Sequence, residues 1–384
     1  MKKILSLLAA AVILISGAVR TYCDGAVYTD AEAAEGGVCV ALMETDTRQL
    51  LYGENENKRV PVGTLAKLMT VLLTAEAVES GALKLSDSVT ASAHANSMQG
   101  AQIWLMPGEK MTVEELLRGV IIGNANDASV ALAEAVAVTE ERFVIMMNRR
   151  AGELGMLSTR FADCSGFTGG EEYSTAYDMA LLGAELSKHT ELQKIFTTWL
   201  DYLRDGATEL VNTNELVKSY KGMTGMKTGF SEKSGWCSVL TAERENGKYT
   251  AVVLGADDKD YTFTRGKGLL GWAFSSFERT VPQIPPEYLK DIAVSGGREK
   301  YVRVYCDEIL PVIVANGDGN SVRAEIARLE PAEAPVHEGQ RLGIITVYYK
   351  KEVIYEAELL AYKDVKKKDF GYSLCKLLKS CFSL

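Results

Sequence analysis

The chain has 384 residues, of which 47% are hydrophobic and 24% charged, and it carries a net charge of -9. This is the composition of a folded protein with length enough for two domains, and it excludes a largely disordered chain. It also excludes a nucleic-acid partner, because neutralising phosphates needs a basic surface and the main body offers none.

Met1-Lys2-Lys3, the apolar run Ile4 to Val19 and the small residues Ser16, Gly17 and Ala18 read as an export signal within residues 1–25. The apolar run is short for a membrane-spanning helix. The seven cysteines are scattered without a Cys-x-x-Cys spacing, so neither a zinc site nor a disulfide framework is encoded, and their pairing stays open. His94, His189 and His337 lie far apart in sequence, which weakens a Ser-His-Asp triad or a zinc peptidase. No metal and no cofactor is expected.

After a small-residue linker around Asp30 to Glu35, Val38, Val40 and Leu42 alternate, and Leu50-Leu51-Tyr52 follows a polar turn, which predicts a hairpin. Leu65, Leu68, Met69, Leu72 and Leu73 recur at helical spacing as far as Gly81, placing Thr64 at a helix start as its cap residue. Thr112-Val113-Glu114-Glu115 has the form of a capping box opening a second helix, which ends near Gly123. Asp127 is expected to cap a third helix over Ala128 to Ala137, leaving Asn124 to Asn126 in a tight turn. Further helices are predicted at Glu140 to Leu154 and Thr175 to Ser187.

Trp236 to Glu243 and Lys248 to Leu254 read as strands joined by the Asn246-Gly247 turn, with Lys227-Thr228-Gly229 just before or at the start of the first. A helix carrying Leu269, Leu270, Trp272 and Phe274 closes this region. The proline-rich run Val281 to Pro286 marks a domain boundary. Beyond it, Ile292-Ala293-Val294, Tyr301 to Tyr305, Leu310 to Val314 and Leu342 to Tyr349 predict a small β-sandwich. In the last stretch Lys366, Lys367, Lys368, Lys376 and Lys379 face one acid, Asp369, while Phe370, Leu374, Leu377, Leu378 and Cys381 recur at helical spacing. Such a basic amphipathic helix suits an anionic membrane surface, with lysines among the headgroups.

Three short motifs stand in order: Thr64-Leu65-Ala66-Lys67, Asn124-Ala125-Asn126 and Lys227-Thr228-Gly229. They parallel the Ser-x-x-Lys, Ser-x-Asn and Lys-Thr-Gly set of penicillin-binding proteins and class A β-lactamases. With Gln102 to Glu109, Ser174 to Ala180 and Leu210 to Asn214, the chain resembles the low-molecular-weight D-alanyl-D-alanine carboxypeptidases over nearly its whole length. The resemblance implies an α+β fold: a β-lactamase-like domain of helical cluster plus antiparallel sheet over residues 26–280, a β-rich domain over 285–364 and a membrane-anchoring tail over 365–384. It implies an exported protein, peripheral on the outer face of the cytoplasmic membrane. Its partners would be peptidoglycan stem peptides ending in D-Ala-D-Ala, with β-lactams as covalent ligands.

Residue by residue, the resemblance makes Thr64 the nucleophile, Lys67 its base and Asn126 the amide that orients the peptide or Lys67. Lys227 and Thr228 would hold the substrate carboxylate, and Gly229, Phe230 and Asn124 would line the binding site, the N–H groups of Thr64 and Phe230 forming the oxyanion hole. Both altered motifs bear on the chemistry. The extra methyl of Thr64 stiffens χ1 beside the attacking oxygen, and Asn124 cannot relay a proton as a hydroxyl does. Thr262 stands where relatives commonly carry an arginine. Each residue also has a plainer reading: Thr64 as a helix cap, the asparagines as turn formers, Lys67 as a snorkelling lysine, Lys227 as a solvated edge lysine and Thr228 as a β-branched strand residue. Two functions follow, a carboxypeptidase working through an acyl-enzyme and a weakened or inactive relative that binds peptidoglycan from the membrane. A soluble β-lactamase fits the added β-domain and tail less well.

Overall fold

The computed structural model describes residues 37–167, 171–306 and 309–382. The expected export signal and linker lie outside the described residues, as do the side chains of Lys376, Lys379 and Cys381.

A five-stranded antiparallel sheet forms the centre, in the order Leu50–Glu54, Cys39–Glu44, Gly247–Ala256, Gly235–Arg244, Met223–Ser231. The period-two geometry of a strand explains its two buried faces. Cys39, Ala41 and Met43 face the helical core, whereas Val38, Val40 and Leu42 face a second core built on the Lys259–Ser276 helix. The helical core gathers Lys67–Glu79, Val113–Ile121, Asn126–Ala137, Glu140–Glu153 and Ala176–Leu186.

The hairpin, the capping box and the Asn246-Gly247 turn form as expected, and both arms of the box are made by Thr112 and Glu115. Three local expectations are corrected. Lys227-Thr228-Gly229 does not precede the Gly235–Arg244 strand; it lies within a strand of its own, Met223–Ser231, which pairs with that neighbour and forms the sheet edge. Thr64 caps nothing with its side chain. It sits inside a 3-10 turn, Gly63–Ala66, that feeds the Lys67–Glu79 helix. Asp127 is the second residue of the Asn126–Ala137 helix, not its cap; its carboxylate is drawn instead to the N–H groups of Ile103 and Leu105, at 3.1 and 2.9 Å.

Beyond the proline-rich run, a four-stranded antiparallel sheet has the order Val304–Cys306, Glu352–Ala361, Arg341–Tyr349, Val322–Arg328. It shares a core with Ile292–Ser295, Tyr301–Val302 and Ala332–Glu333. Val322–Arg328 and Glu352–Ala361 are additions to the expected strands. The first interleaves Ala with charged residues and the second carries three glutamates, which dilutes the β-branched signal of Val322, Ile326, Val353 and Ile354. Phe277–Thr280 leaves the Lys259–Ser276 helix and pairs with Val312–Ala315, tying the two parts together. The tail forms the Phe370–Phe382 helix, with Phe370, Leu374, Leu377 and Leu378 exposed. Among the described residues no helix is long and apolar enough to cross a membrane.

Candidate active site

Gly63 opens the 3-10 turn in the left-handed region, φ +51°, and the turn delivers Thr64 and Lys67 to one side at i, i+3 spacing. Lys67 is fully buried. Its ammonium donates to the Ser165 carbonyl at 2.7 Å, and one turn on, Thr70 Oγ1 donates to the Cys164 carbonyl at 2.6 Å. The 163–167 turn is thus stitched along the start of the helix. Asp163 builds that turn, its Oδ1 accepting from Ser165 N–H (2.8 Å), Ser165 Oγ (2.8 Å) and Gly166 N–H (2.6 Å). Burial pushes the Lys67 amine down to about 8, against the pull of Cys164, Asp163, Glu172 and Asp127.

The sheet edge supplies the second wall. A Cβ added to Gly229 would lie 1.8 Å from Thr64 Oγ1, so the third motif is pressed against the first and only glycine fits. Lys227 alternates onto the same face as Gly229. It is buried rather than solvated, and its ammonium donates to the Val120 carbonyl at 3.0 Å, near the end of the Val113–Ile121 helix. Burial, then repulsion from Lys67, holds its amine well below the ordinary lysine range. Thr228 Oγ1 donates to the Thr213 carbonyl at 2.7 Å, and Thr213 Oγ1 returns a bond to the Thr228 carbonyl at 2.9 Å. Because that carbonyl faces the open edge of the sheet, strand alternation turns the Phe230 N–H to the same edge. The Phe230 ring is about half exposed and packs on Trp236, centroids 5.1 Å apart.

The second motif sits in the turn before the Asn126–Ala137 helix. Asn124 takes φ +57° in the turn, a conformation asparagine tolerates. Asn126 donates its N–H to the Ala101 carbonyl at 2.8 Å and its Nδ2 to the Gln99 carbonyl at 2.6 Å. Thr64 Oγ1, Asn124 Oδ1 and Asn126 Oδ1 are buried atoms without a hydrogen-bond partner among the described residues. Each of these unspent polar atoms is one that a bound peptide amide could satisfy. The buried Thr262 hydroxyl is tied to the Asp258 carbonyl at 3.0 Å.

The structure therefore brings Gly229 against Thr64 and Lys227 within electrostatic reach of Lys67, while Asn126 is held by its own loop. Thr228 and Phe230 join through the strand edge. Asp163, Ser165, Gly166 and Glu172 were missed by sequence reasoning. Asp163-Cys164-Ser165-Gly166 does carry a turn signal, an Asp followed by Ser and Gly, but nothing local ties it to Thr64.

The D-alanyl-D-alanine carboxypeptidase family profile matches residues 29–258, and the profile of the penicillin-binding protein 5 C-terminal domain matches residues 285–367. The chain is 37% identical to the D-alanyl-D-alanine carboxypeptidase DacF of Bacillus subtilis (strain 168) over 96% of each chain. It is 29% identical to DacC of Escherichia coli (strain K12), a carboxypeptidase of the same description, over 86% of this chain and 84% of the relative. Among solved structures, penicillin-binding protein 5 from Haemophilus influenzae superposes with a TM-score of 0.77 at 26% identity, covering 86% of this chain and 97% of the other. Penicillin-binding protein D2 from Listeria monocytogenes, in its ampicillin-bound form, gives a TM-score of 0.56 at 29% identity, over 62% of this chain and 96% of the other.

Proposed function

The chain belongs to the D-alanyl-D-alanine carboxypeptidase family, and we propose that it trims the terminal D-alanine from peptidoglycan stem peptides through an acyl-enzyme on Thr64. The observation that carries this reading is the closeness of Gly229 to Thr64 Oγ1, beside a buried lysine whose amine titrates at about 8. In the neutral state Lys67 takes the Thr64 proton as the oxygen attacks the carbonyl carbon of the penultimate residue. The oxyanion is held by the N–H groups of Thr64 and Phe230. The leaving D-alanine takes the proton from Lys67, and water then releases the acyl group, restoring the threonine. Lys227, buried with the Lys67 cation as its charged neighbour, suits the substrate carboxylate, whose negative charge would favour its ammonium form. Asn126 Oδ1 suits a peptide N–H. β-Lactams would acylate the same oxygen.

A second reading, a weakened relative that binds peptide ends without turnover, is favoured by one observation. The Lys67 ammonium is engaged with Ser165, while Thr64 Oγ1 has no hydrogen bond among the described residues. Incubating the purified protein with a fluorescent penicillin and with a D-Ala-D-Ala peptide separates the two. Labelling and D-alanine release by wild type, both lost in Thr64→Ala, support the enzyme. Inert wild type with activity restored in Thr64→Ser leaves the binding reading.

The exported, extracytoplasmic location and membrane tethering are part of the proposal. They are supported by the exposed apolar residues of the Phe370–Phe382 helix and the lysines preceding it.

A further inference from the structure

The helix that begins at Lys67 ends at Glu79, about 18 Å away at the rise of an α-helix. There it meets His189, which follows the Ala176–Leu186 helix and opens the short Thr190–Leu192 turn carrying Glu191. The His189 N–H donates to the Leu186 carbonyl at 3.2 Å, and its side chain takes no part in capping the turn. The imidazole is buried, only 7% exposed, and borders a crevice that it shares with Leu186, Phe196 and Met226.

His189 Nδ1 lies 2.8 Å from Glu79 Oε1 and 3.6 Å from Glu191 Oε1. A ring nitrogen carries at most one proton, so it serves only one of the two carboxylates. Among the described residues neither glutamate pairs with a lysine or an arginine. The lysines nearby in sequence or lining the crevice are turned elsewhere: Lys188 binds Glu185 at 2.7 Å, and Lys248 donates to the Ser187 carbonyl at 3.0 Å. Two carboxylates and a neutral imidazole together carry the charge that a divalent cation neutralises.

The spacing fits as well. The three donor atoms all lie within 4.8 Å of one another, and among the described residues no other trio of histidine, cysteine or carboxylate ligands does so. Tetrahedral ligands on zinc stand about 3.4 Å apart, so Glu79 would draw back by roughly half an ångström, which an exposed glutamate can do.

We propose that Glu79, His189 and Glu191 bind a divalent transition-metal ion of the zinc type, through His189 Nδ1 and one oxygen of each glutamate, with water at the fourth position. The imidazole selects the class of ion, because calcium and magnesium take oxygen ligands. The bound ion fastens the far end of the Lys67–Glu79 helix to the segment entering Gln193–Thr197. Phe196 of that segment abuts the strand of Lys227, where a Cβ on Gly225 would lie 3.1 Å from its own Cβ. The ion takes no part in acyl transfer, and the proposal stands whether or not Thr64 reacts. Since Glu79 and His189 are 110 residues apart, no motif spacing announces the site.

The test titrates the full chain, stripped with a chelator, with Zn2+ by calorimetry and follows its melting temperature. One Zn2+ binds per chain with a Kd on the order of 1 μM, and the melting temperature rises with zinc concentration. Ca2+ and Mg2+ in about 100-fold excess leave zinc bound. Glu79→Gln and Glu191→Gln, both at exposed positions, each weaken zinc binding at least about tenfold. His189→Gln abolishes it, and His94→Gln and His337→Gln do not change it. Zinc held equally well by wild type and by the Glu79→Gln/Glu191→Gln double variant would belong to other groups, the cysteines included, and overturns the proposal. So does an absence of stoichiometric binding at about 100 μM zinc, or displacement by magnesium. Should His189→Gln not fold, the two glutamate variants decide the matter alone.

Discussion

Burial gives Lys67 its working range and also makes it a burden on the fold. Its amine is pushed down to about 8, so acylation rises as pH is raised through that value, which a pH profile of penicillin labelling checks. The sign for stability is the same. With the folded value below the unfolded one, the buried ammonium destabilises fully below about pH 8, and the cost fades as pH rises toward the ordinary lysine value. Lys67→Met is therefore expected to abolish acylation while raising the melting temperature at pH 7, the gain being at most about 3 kcal/mol because the bond to Ser165 is lost. Gly229 makes the complementary point about space. Gly229→Ala places a methyl 1.8 Å from Thr64 Oγ1, so a fall of about 100-fold in acylation is expected from displacement of the nucleophile. A mutant labelled at the wild-type rate would mean that the strand and the turn are not in register during reaction.

At the scale of elements, the site depends on a loop that a helix holds by its first turn. Asp127 accepts the N–H groups of Ile103 and Leu105, and between them Trp104 stands at φ +61° and is 71% exposed. The same loop receives both hydrogen bonds of Asn126, through Gln99 and Ala101. Asp127→Ala leaves three backbone donors, those of Ile103, Leu105 and Ala128, without their acceptor, so urea unfolding should show a loss of about 2–4 kcal/mol. The position of Asn126 would loosen with it, and peptide binding should weaken more than the stability loss accounts for. Helix patterning, the capping box and the tight Asn246-Gly247 turn were legible from local residues, because each is settled by neighbours a few positions away. The Lys227-Thr228-Gly229 strand was not. Its place at the sheet edge comes from pairing with Gly235–Arg244 and from the Thr213 contact, neither of which leaves a mark on its own apolar pattern.

For the whole molecule, the chain is an α+β catalytic-type domain followed by a β-rich one, joined by the pairing of Phe277–Thr280 with Val312–Ala315. The terminal helix adds a face on which Phe370, Leu374, Leu377 and Leu378 are all exposed, more apolar surface in one place than a soluble helix usually shows. Removing residues 366–384 should abolish sedimentation with anionic lipid vesicles, and raising salt should weaken binding of the intact chain by screening its lysines. A truncated protein that still sediments would assign the membrane contact to another surface.

The sequence by itself determined the family, the two-part architecture and the identity of Thr64, Lys67, Asn126 and Lys227 as site residues to test, because short motifs survive at fixed offsets from helix and strand periodicity. Tertiary structure alone decided how they meet. Thr64 has no cap to make and faces Gly229, Lys227 is buried instead of solvated, and Asp163 and Gly166 close around the turn from about 100 residues downstream. Burial and charge at the site are sums over such distant neighbours, and no window of local sequence contains them.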